Sequence, residues 1–277
     1  MELIANMAFC YFNGELVDEA EASISIHNLG VHRGFGIFDF FRAKNGTPTF
    51  FEDYLDRFDN SQRFLDLSRH ISKEEVQSAV GILLEKNGFA NSSLKLMLLG
   101  DGIDADDAIR PLFFIINAPF EEAEGIPEAN LILEDYVREN PMIKSINYFT
   151  SYQVHQRKKK YEALDVLYHK NGIVSEASRS NVFIVKEGVL MTPEKNILHG
   201  ITRKHLLEIA EGVIEARIKD ITVEDVLGAD EVFISGTIKE VMPVLKIDDH
   251  IIGNGRPGSE TIRLHNLFKE HVKDYHK

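Results

Sequence analysis

The sequence predicts an α/β protein built of two domains. Three observations carry that expectation. Turn dipeptides sit between short apolar runs, stretches with helical apolar spacing separate those hairpins, and a proline- and glutamate-rich segment lies near the middle of the 277 residues.

The elements follow in order. Ala8 to Phe12 meets Asn13-Gly14 and then Leu16 and Val17, which reads as a hairpin because Asn-Gly supplies the positive φ angles of a two-residue turn. Ile37 to Ala43, Asn45-Gly46 and Thr49 to Phe51 read as a second. Glu52 to Leu67 carries Leu55, Phe58 and Leu65 at near-helical spacing. Ser72 with Glu75 is a capping box for a helix whose face is Val76, Ala79, Val80, Leu83 and Leu84, and Gly88 ends it. Leu94 to Leu99 and Leu112 to Ile116 read as buried strands.

Pro119, Gly125 and Pro127, with Glu121, Glu122, Glu124 and Glu128 among them, mark a linker. The expected division is a smaller α/β domain at 1–118, a linker at 119–127 and a larger α/β domain at 128–277. The second half opens with a strand at Asn130 to Leu133 and a helix from Phe149 to Glu162. Hairpins then turn at Asn171-Gly172 and Glu187-Gly188. A helix from Thr202 to Ala216, a buried strand ending in Phe233-Ile234-Ser235-Gly236-Thr237, and a last helix from Ser259 to Tyr275 complete the chain.

Lysine and arginine total 31 against 44 aspartates and glutamates, a net charge of −13. Such a surface repels phosphate backbones and anionic lipid, so no nucleic acid and no membrane is expected as a partner. The single cysteine, Cys10, excludes an internal disulfide and suits a reducing cytoplasm. The opening residues Met1 to Asn6 lack a basic region, so no leader is expected. The sequence has no P-loop and no HExxH, and Gly34-Phe35-Gly36 is not a dinucleotide fingerprint. His27 and His32 read better as solvated or core histidines than as ligands, and no metal is expected.

Four features of the second half are candidates for chemistry, each with a plain alternative. Lys144 lies among apolar residues in Met-Ile-Lys-Ser-Ile-Asn-Tyr, and an amine in apolar surroundings loses proton affinity and becomes nucleophilic; the alternative is a surface lysine on a strand edge. Glu176 follows a hairpin and is placed to hold a protonated ring nitrogen, or is a turn glutamate facing water. Gly200-Ile201-Thr202-Arg203 opens a helix whose free N–H groups suit a phosphate, or Thr202 is a simple cap. Ser235-Gly236-Thr237 is a second clamp for the same phosphate, or a simple turn.

The order of these stretches adds what no single one gives. Tyr-Phe-Asn-Gly-Glu-Leu-Val at 11–17, Tyr-Leu-Asp-Arg-Phe at 54–58 and Lys-Ser-Ile-Asn-Tyr at 144–148 are followed by Ser-Glu-Ala-Ser-Arg-Ser-Asn-Val-Phe at 175–183. Gly-Ile-Thr-Arg at 200–203 and Ser-Gly-Thr-Ile-Lys-Glu-Val-Met-Pro-Val at 235–244 complete the series. Over nearly its whole length the chain resembles the class IV pyridoxal-phosphate aminotransferases, the family of branched-chain and D-amino-acid aminotransferases. The resemblance implies a two-domain fold-type-IV enzyme with mixed sheets, a β-barrel-like second domain with flanking helices, and an active site in the crevice between the domains. It also implies a homodimer, pyridoxal 5′-phosphate as cofactor, and an amino donor and a 2-oxo acid acceptor as small-molecule partners.

By the same resemblance Lys144 is the catalytic amine that holds the cofactor. Arg57 grips its phosphate, with a partner of Asp53 or Asp56 as the plain alternative. Ile201, Thr202, Thr237 and Ile238 complete the phosphate cup, Glu176 holds the pyridine nitrogen, and Tyr148 lies near the phenolic oxygen.

The first domain departs from the family pattern at Val31 to Asp39: Arg33 replaces an aromatic, Phe35 an acid, and Asp39 a glutamate. Arg33 and Arg42 are candidates for a substrate carboxylate or for surface ion pairs. The loop from Gly100 to Ile109 carries four aspartates and lacks the Arg-x-His element of D-amino-acid aminotransferases. Arg179, in place of a small residue, is expected to point to solvent. Two rivals share the scaffold: an aminodeoxychorismate lyase, which eliminates rather than transfers, and a non-catalytic binding protein.

Overall fold

A computed structural model describes residues 8–277, so the opening residues Met1 to Asn6, expected to carry no leader, lie outside the described residues. The chain forms two compact units. One holds the residues up to Glu122 together with Ile143–Asn147 and His276; the other holds Ala123–Met142, Tyr148–Tyr275 and Lys277. The short return of 143–147 to the first unit has no composition signal. It arises because Ile37 bridges Ser145, Phe38 N donates to the Lys144 carbonyl at 2.9 Å and Ile146 N donates to the Gly36 carbonyl at 3.2 Å.

The first unit comprises β1 (Phe9–Phe12), β2 (Glu15–Asp18), α1 (Leu29–Arg33), β3 (Gly36–Lys44), β4 (Thr47–Pro48), α2 (Phe51–Gln62), α3 (Lys73–Asn87), β5 (Asn91–Ile103) and β6 (Ile109–Pro119). Its strands lie in the order β2-β1-β6-β5-β3-β4, and every pairing is antiparallel. Along β3, Ile37, Asp39 and Phe41 are buried and alternate with half-buried Phe38, Phe40 and Arg42. Phe41 meets Tyr54 of α2, and Phe58 of α2 meets Phe113 of β6, which sets the helix against the buried side of the sheet. Val76, Ala79, Val80, Leu83 and Leu84 of α3 are buried as their spacing predicts, and Gly88 closes the helix at φ 62°.

The second unit comprises β7 (Ala129–Asp135), α4 (Phe149–Gln153), α5 (His155–Lys160), β8 (Asp165–Lys170), β9 (Ile173–Ala177), β10 (Asn181–Lys186), β11 (Val189–Thr192), α6 (Ile201–Ala210), β12 (Glu215–Ile218), β13 (Ile221–Thr222), α7 (Val223–Leu227), β14 (Glu231–Gly236), β15 (Glu240–Ile247), β16 (His250–Ile251) and α8 (Ser259–Tyr275). Its strands form one strongly curled, half-barrel sheet in the order β12-β11-β10-β14-β15-β7-β8-β9-β13, with β16 on β15. The β11–β12, β15–β7 and β7–β8 pairings are parallel, so this sheet is mixed. Its core is aliphatic, with Leu131, Leu167, Val182, Ile184, Ile234 and Ile247 among the residues wholly buried. Among the described residues no helix is long and apolar enough to cross a membrane.

Five elements differ from the sequence expectation, each for a local reason. The helix expected to reach Leu67 stops at Gln62, whose side chain bonds both backbone groups of Ile71, at 2.8 and 3.0 Å. Ser72 caps α3 by accepting from Glu75 N at 3.1 Å, but the reciprocal half of the box is missing because the Glu75 carboxylate pairs with Arg69. The second hairpin returns only as Thr47–Pro48, since Phe50 turns left-handed at φ 54° and α2 begins. The helix expected over Phe149 to Glu162 breaks at Val154 into α4 and α5. The helix expected to reach Ala216 ends at Ala210: Glu211 and Gly212, the latter at φ 75°, make a turn closed by Val213 N donating to the Ala210 carbonyl at 3.0 Å, and Glu215 to Ile218 become β12 instead.

Candidate active site

In the first unit Lys144 is half-buried beside buried Ile143. Its backbone is pinned to β3, and its ammonium nitrogen lies 4.8 Å from the centre of the Phe38 ring. Lys95 of β5 stands over the same ring at 5.3 Å. Lys144 thus has its backbone tied to β3 and its amine over an aromatic ring of the same strand.

Arg57 of α2 reaches Asp39, the next residue of β3, with two parallel hydrogen bonds, from Nε to Oδ2 at 3.0 Å and from Nη2 to Oδ1 at 2.6 Å. Its guanidinium also lies over the Tyr54 ring at 5.1 Å. Asp56, one of the two partners expected for it, takes Lys73 instead. Within this unit Lys144 and Arg57 therefore engage neighbouring residues of β3, Phe38 and Asp39.

Arg33 is exposed in the last turn of α1, where it donates to the His32 carbonyl at 3.2 Å. Arg42 is half-buried, with its guanidinium 5.3 Å from the Phe120 ring. It shares with Phe38 and Phe40 the half-buried side of β3, so of the two arginines it is the better placed for a ligand on that side. The four-aspartate loop is not a bare solvated run. Asp104 accepts from Asp106 N and Ala108 N, each at 3.0 Å, and Asp101 accepts from Asn28 at 2.9 Å.

In the second unit Glu176 is the last residue but one of β9 and is buried. Its Oε1 accepts from Arg138 Nε at 2.7 Å, and its Oε2 accepts from Leu198 N at 2.9 Å. A carboxylate offers about four lone pairs and can accept from several donors at once. Arg138 is itself fixed by donating to the Pro141 carbonyl at 2.7 Å. The sequence reading missed Arg138; a lone arginine after a strand gave no signal, and its meaning comes only from standing beside Glu176. Tyr148 is half-buried at the start of α4. Burial pushes its phenol up to about 12, with Glu176 and Asp165 adding to that rise and Arg138 and Arg179 opposing it.

α6 begins on Gly200, which offers no side-chain cap, and Thr202 lies inside the helix rather than capping it. The backbone start at Ile201 and Thr202 is buried, and the N–H groups there suit an anion. Gly200 is required: a Cβ there would come within 2.1 Å of Asn181 Oδ1, and Asn181 donates to the Leu198 carbonyl at 2.8 Å. Arg203 points away from any ligand role. It is buried and donates to Thr192 Oγ1 at 3.3 Å and the Pro193 carbonyl at 3.0 Å. Thr237 follows β14 and is half-buried, while Ile238 is exposed. Next to that turn, Ser235 buries a hydroxyl with no hydrogen-bond partner.

The polar groups of this unit suit a phosphorylated pyridine in kind: a buried carboxylate that can accept from a protonated ring nitrogen, and, as phosphate donors, an uncapped helix start, two threonine hydroxyls and the serine hydroxyl without a partner. Among the described residues no group of three or more histidine, cysteine or acidic side chains converges as a metal site.

Comparison with known proteins identifies the family. The sequence profile described as "Amino-transferase class IV" matches residues 36–247. The chain is 33% identical to a putative branched-chain-amino-acid aminotransferase of Methanocaldococcus jannaschii, over 94% of this chain and 95% of that protein. It is 30% identical to a D-alanine aminotransferase of Staphylococcus epidermidis, over 97% of this chain and 99% of that protein. Among solved structures it is similar to the branched-chain aminotransferase of Thermoproteus uzoniensis with norvaline, with a TM-score of 0.86 at 26% identity over 97% of this chain and 95% of that one. The branched-chain amino acid aminotransferase of Escherichia coli gives a TM-score of 0.84 at 26% identity, over 95% of this chain and 93% of that one. With the profile covering most of the sequence and these relatives spanning nearly all of it, the chain belongs to the class IV aminotransferase family.

Proposed function

We propose that this aminotransferase uses pyridoxal 5′-phosphate to move an amino group from an amino acid or amine to a 2-oxo acid. The observation that carries the reading is the setting of Lys144: a backbone-pinned lysine with its amine over an aromatic ring, in a chain of this family. The cofactor, when bound, supplies an electron sink for the carbanion formed at the substrate carbon.

The chain's own residues do the rest. Lys144 would hold the cofactor, and its free amine would take a proton from the substrate α-carbon as general base. Glu176, kept in place by Arg138 and Leu198 N, holds the proton on the ring nitrogen. Arg57, the Ile201 and Thr202 N–H groups, Thr237 and Ile238 bind the phosphate, fixing the ring so that proton transfer stays short-range. The protonated Tyr148 donates to the cofactor's phenolic oxygen, and the high position of its phenol supports that state. Arg42, with Arg33 as a second choice, meets the substrate carboxylate.

We extend the proposal to a homodimer in the cytoplasm. Phe149 and Tyr152, 72% and 73% exposed, are apolar surface that a second copy would cover.

The test is borohydride reduction of the protein loaded with cofactor, followed by peptide mapping, together with a screen of L- and D-amino donors against 2-oxoglutarate and pyruvate. The reading expects the label on Lys144 alone, and Lys144→Ala to lose roughly three orders of magnitude or more in kcat. A label on another lysine overturns it. Pyruvate released from aminodeoxychorismate without any acceptor favours the lyase.

A further inference from the structure

A second buried lysine lies in the second unit, and the reading above does not use it. Lys239 Nζ is 2.9 Å from Asp165 Oδ2 and 2.8 Å from Ser180 Oγ. Asp165 is wholly buried, and the Lys239 side chain is 12% exposed. Asp165 also accepts from its neighbour Val166 N at 2.8 Å and from the Ser178 hydroxyl, and Ser178 in turn accepts from Ser151 at 3.1 Å. Arg179 Nε stands 3.9 Å from the same carboxylate, with its side chain mostly in solvent.

Two turns meet at this pair. One is 177–180, which follows Glu176 directly and is closed by Ala177 N donating to the Ser180 carbonyl at 2.8 Å. The other joins β14 to β15 through Thr237, Ile238 and Lys239, with Gly236 paired to Glu240. They press closely: a Cβ on Gly236 would sit 3.3 Å from the Arg179 carbonyl and 3.6 Å from Ser180 Oγ. The second turn is conformationally costly, because Glu240, a residue with a side chain, takes φ 52° where glycine is the usual occupant. Something outside the turn must hold it.

A buried ion pair is a poor device for stability alone, since well-packed apolar residues usually serve as well. It is a good device for fixing one turn against another, because charge, distance and direction must all be met. Burial lowers the Lys239 ammonium's proton affinity and Asp165 opposes that fall, while Asp165 itself is held ionised against burial by Lys239 and Ser178.

We propose that Lys239 is a positioning residue that locks the Thr237 turn to the strand end carrying Glu176, and so sets the span between the phosphate-binding and ring-nitrogen-binding groups. This rests on the cofactor roles proposed for Thr237 and Glu176. In this role Lys239 acts through Asp165 and Ser180, the groups its ammonium bonds.

The test is a titration of the full chain, stripped of cofactor, with pyridoxal 5′-phosphate and separately with pyridoxal, which lacks the phosphate, read by absorbance. In Lys239→Met the affinity for pyridoxal 5′-phosphate falls about tenfold, the size that partners one step removed from a bound group usually carry. Affinity for pyridoxal stays within about twofold, since only the phosphate end is displaced from Glu176. Lys239→Arg, which restores the charge, recovers most of the loss. If Lys239→Met does not fold because Asp165 is left unpaired, the double variant Lys239→Met with Asp165→Asn removes both charges and is expected to show the same tenfold loss. Unchanged affinities, or equal losses for both compounds, overturn the proposal, whatever the melting temperature does. A wild-type protein that binds neither compound overturns the cofactor reading itself and this inference with it. That failure is seen before any variant is made.

Discussion

Each unit buries an arginine–carboxylate pair, and the two differ in how they are closed. Arg57 and Asp39 form a two-pronged pair in which Asp39 Oδ1 also accepts from Phe40 N at 2.7 Å. Arg138 donates from Nε to Glu176 and from Nη2 to the Pro141 carbonyl, while Leu198 N donates to the other carboxylate oxygen. The first pair anchors a helix to a strand. The second holds a carboxylate near the end of a strand between a side-chain and a backbone donor. Similar chemical groups tie a helix to a strand in one case and hold a strand acid against a backbone donor in the other, and the difference lies in which additional donors surround the acid.

That contrast can be broken by experiment. The largest expected effect is at Glu176. Glu176→Gln keeps the shape and an acceptor but removes the charge, and kcat is expected to fall about a hundredfold or more with a smaller change in KM. A kcat within threefold of wild type would place Glu176 with Asp39 as a packing group.

Asp39→Asn comes next. It strips the charge from the partner of a guanidinium that is only 10% exposed, and is expected to cost about 3 kcal/mol of stability, measured by denaturant unfolding. Lost stability with kcat intact would confine the Arg57–Asp39 pair to packing. A loss of cofactor affinity as well would extend its role to the phosphate.

A smaller effect is expected with pH. The Tyr148 phenol is pushed from 10.0 up to about 12, so the unfolded chain gives up this proton first as pH rises. The associated stability is complete below about pH 10 and declines as pH climbs toward about 12, by roughly 2–3 kcal/mol in all. Tyr168, also pushed up by burial, adds to the same alkaline loss. Thermal melts across that range should flatten in Tyr148→Phe; an unchanged profile would mean that Tyr148 is not shifted.

The smallest effect is a control. Arg217 and Glu215 pair at 2.6 Å with more than half of each side chain in solvent, and Arg217→Ala should change stability by less than about 0.5 kcal/mol. A larger loss would mean that burial is not what separates the two internal pairs from the surface.

The site was legible unevenly. Lys144 stands out by its apolar neighbours, and Glu176, Gly200 and Thr237 by lying near a strand end, a helix start and a turn, so each could be singled out as a candidate from the chain alone. Arg138 and Lys239 could not. Each is an isolated cation whose meaning depends on a carboxylate distant in sequence, at 176 and 165.

The sequence by itself determined the turns, most of the strands, the buried face of α3 and the span of α8, because these depend on residue-level φ preferences and apolar periodicity. Tertiary structure decided where helices stop. α2 ends because Gln62 bonds Ile71, and α6 gives way to β12 because Glu215 to Ile218 pair alongside β11. It also decided which charges are buried together, since pairing across the fold follows from packing that periodicity cannot encode.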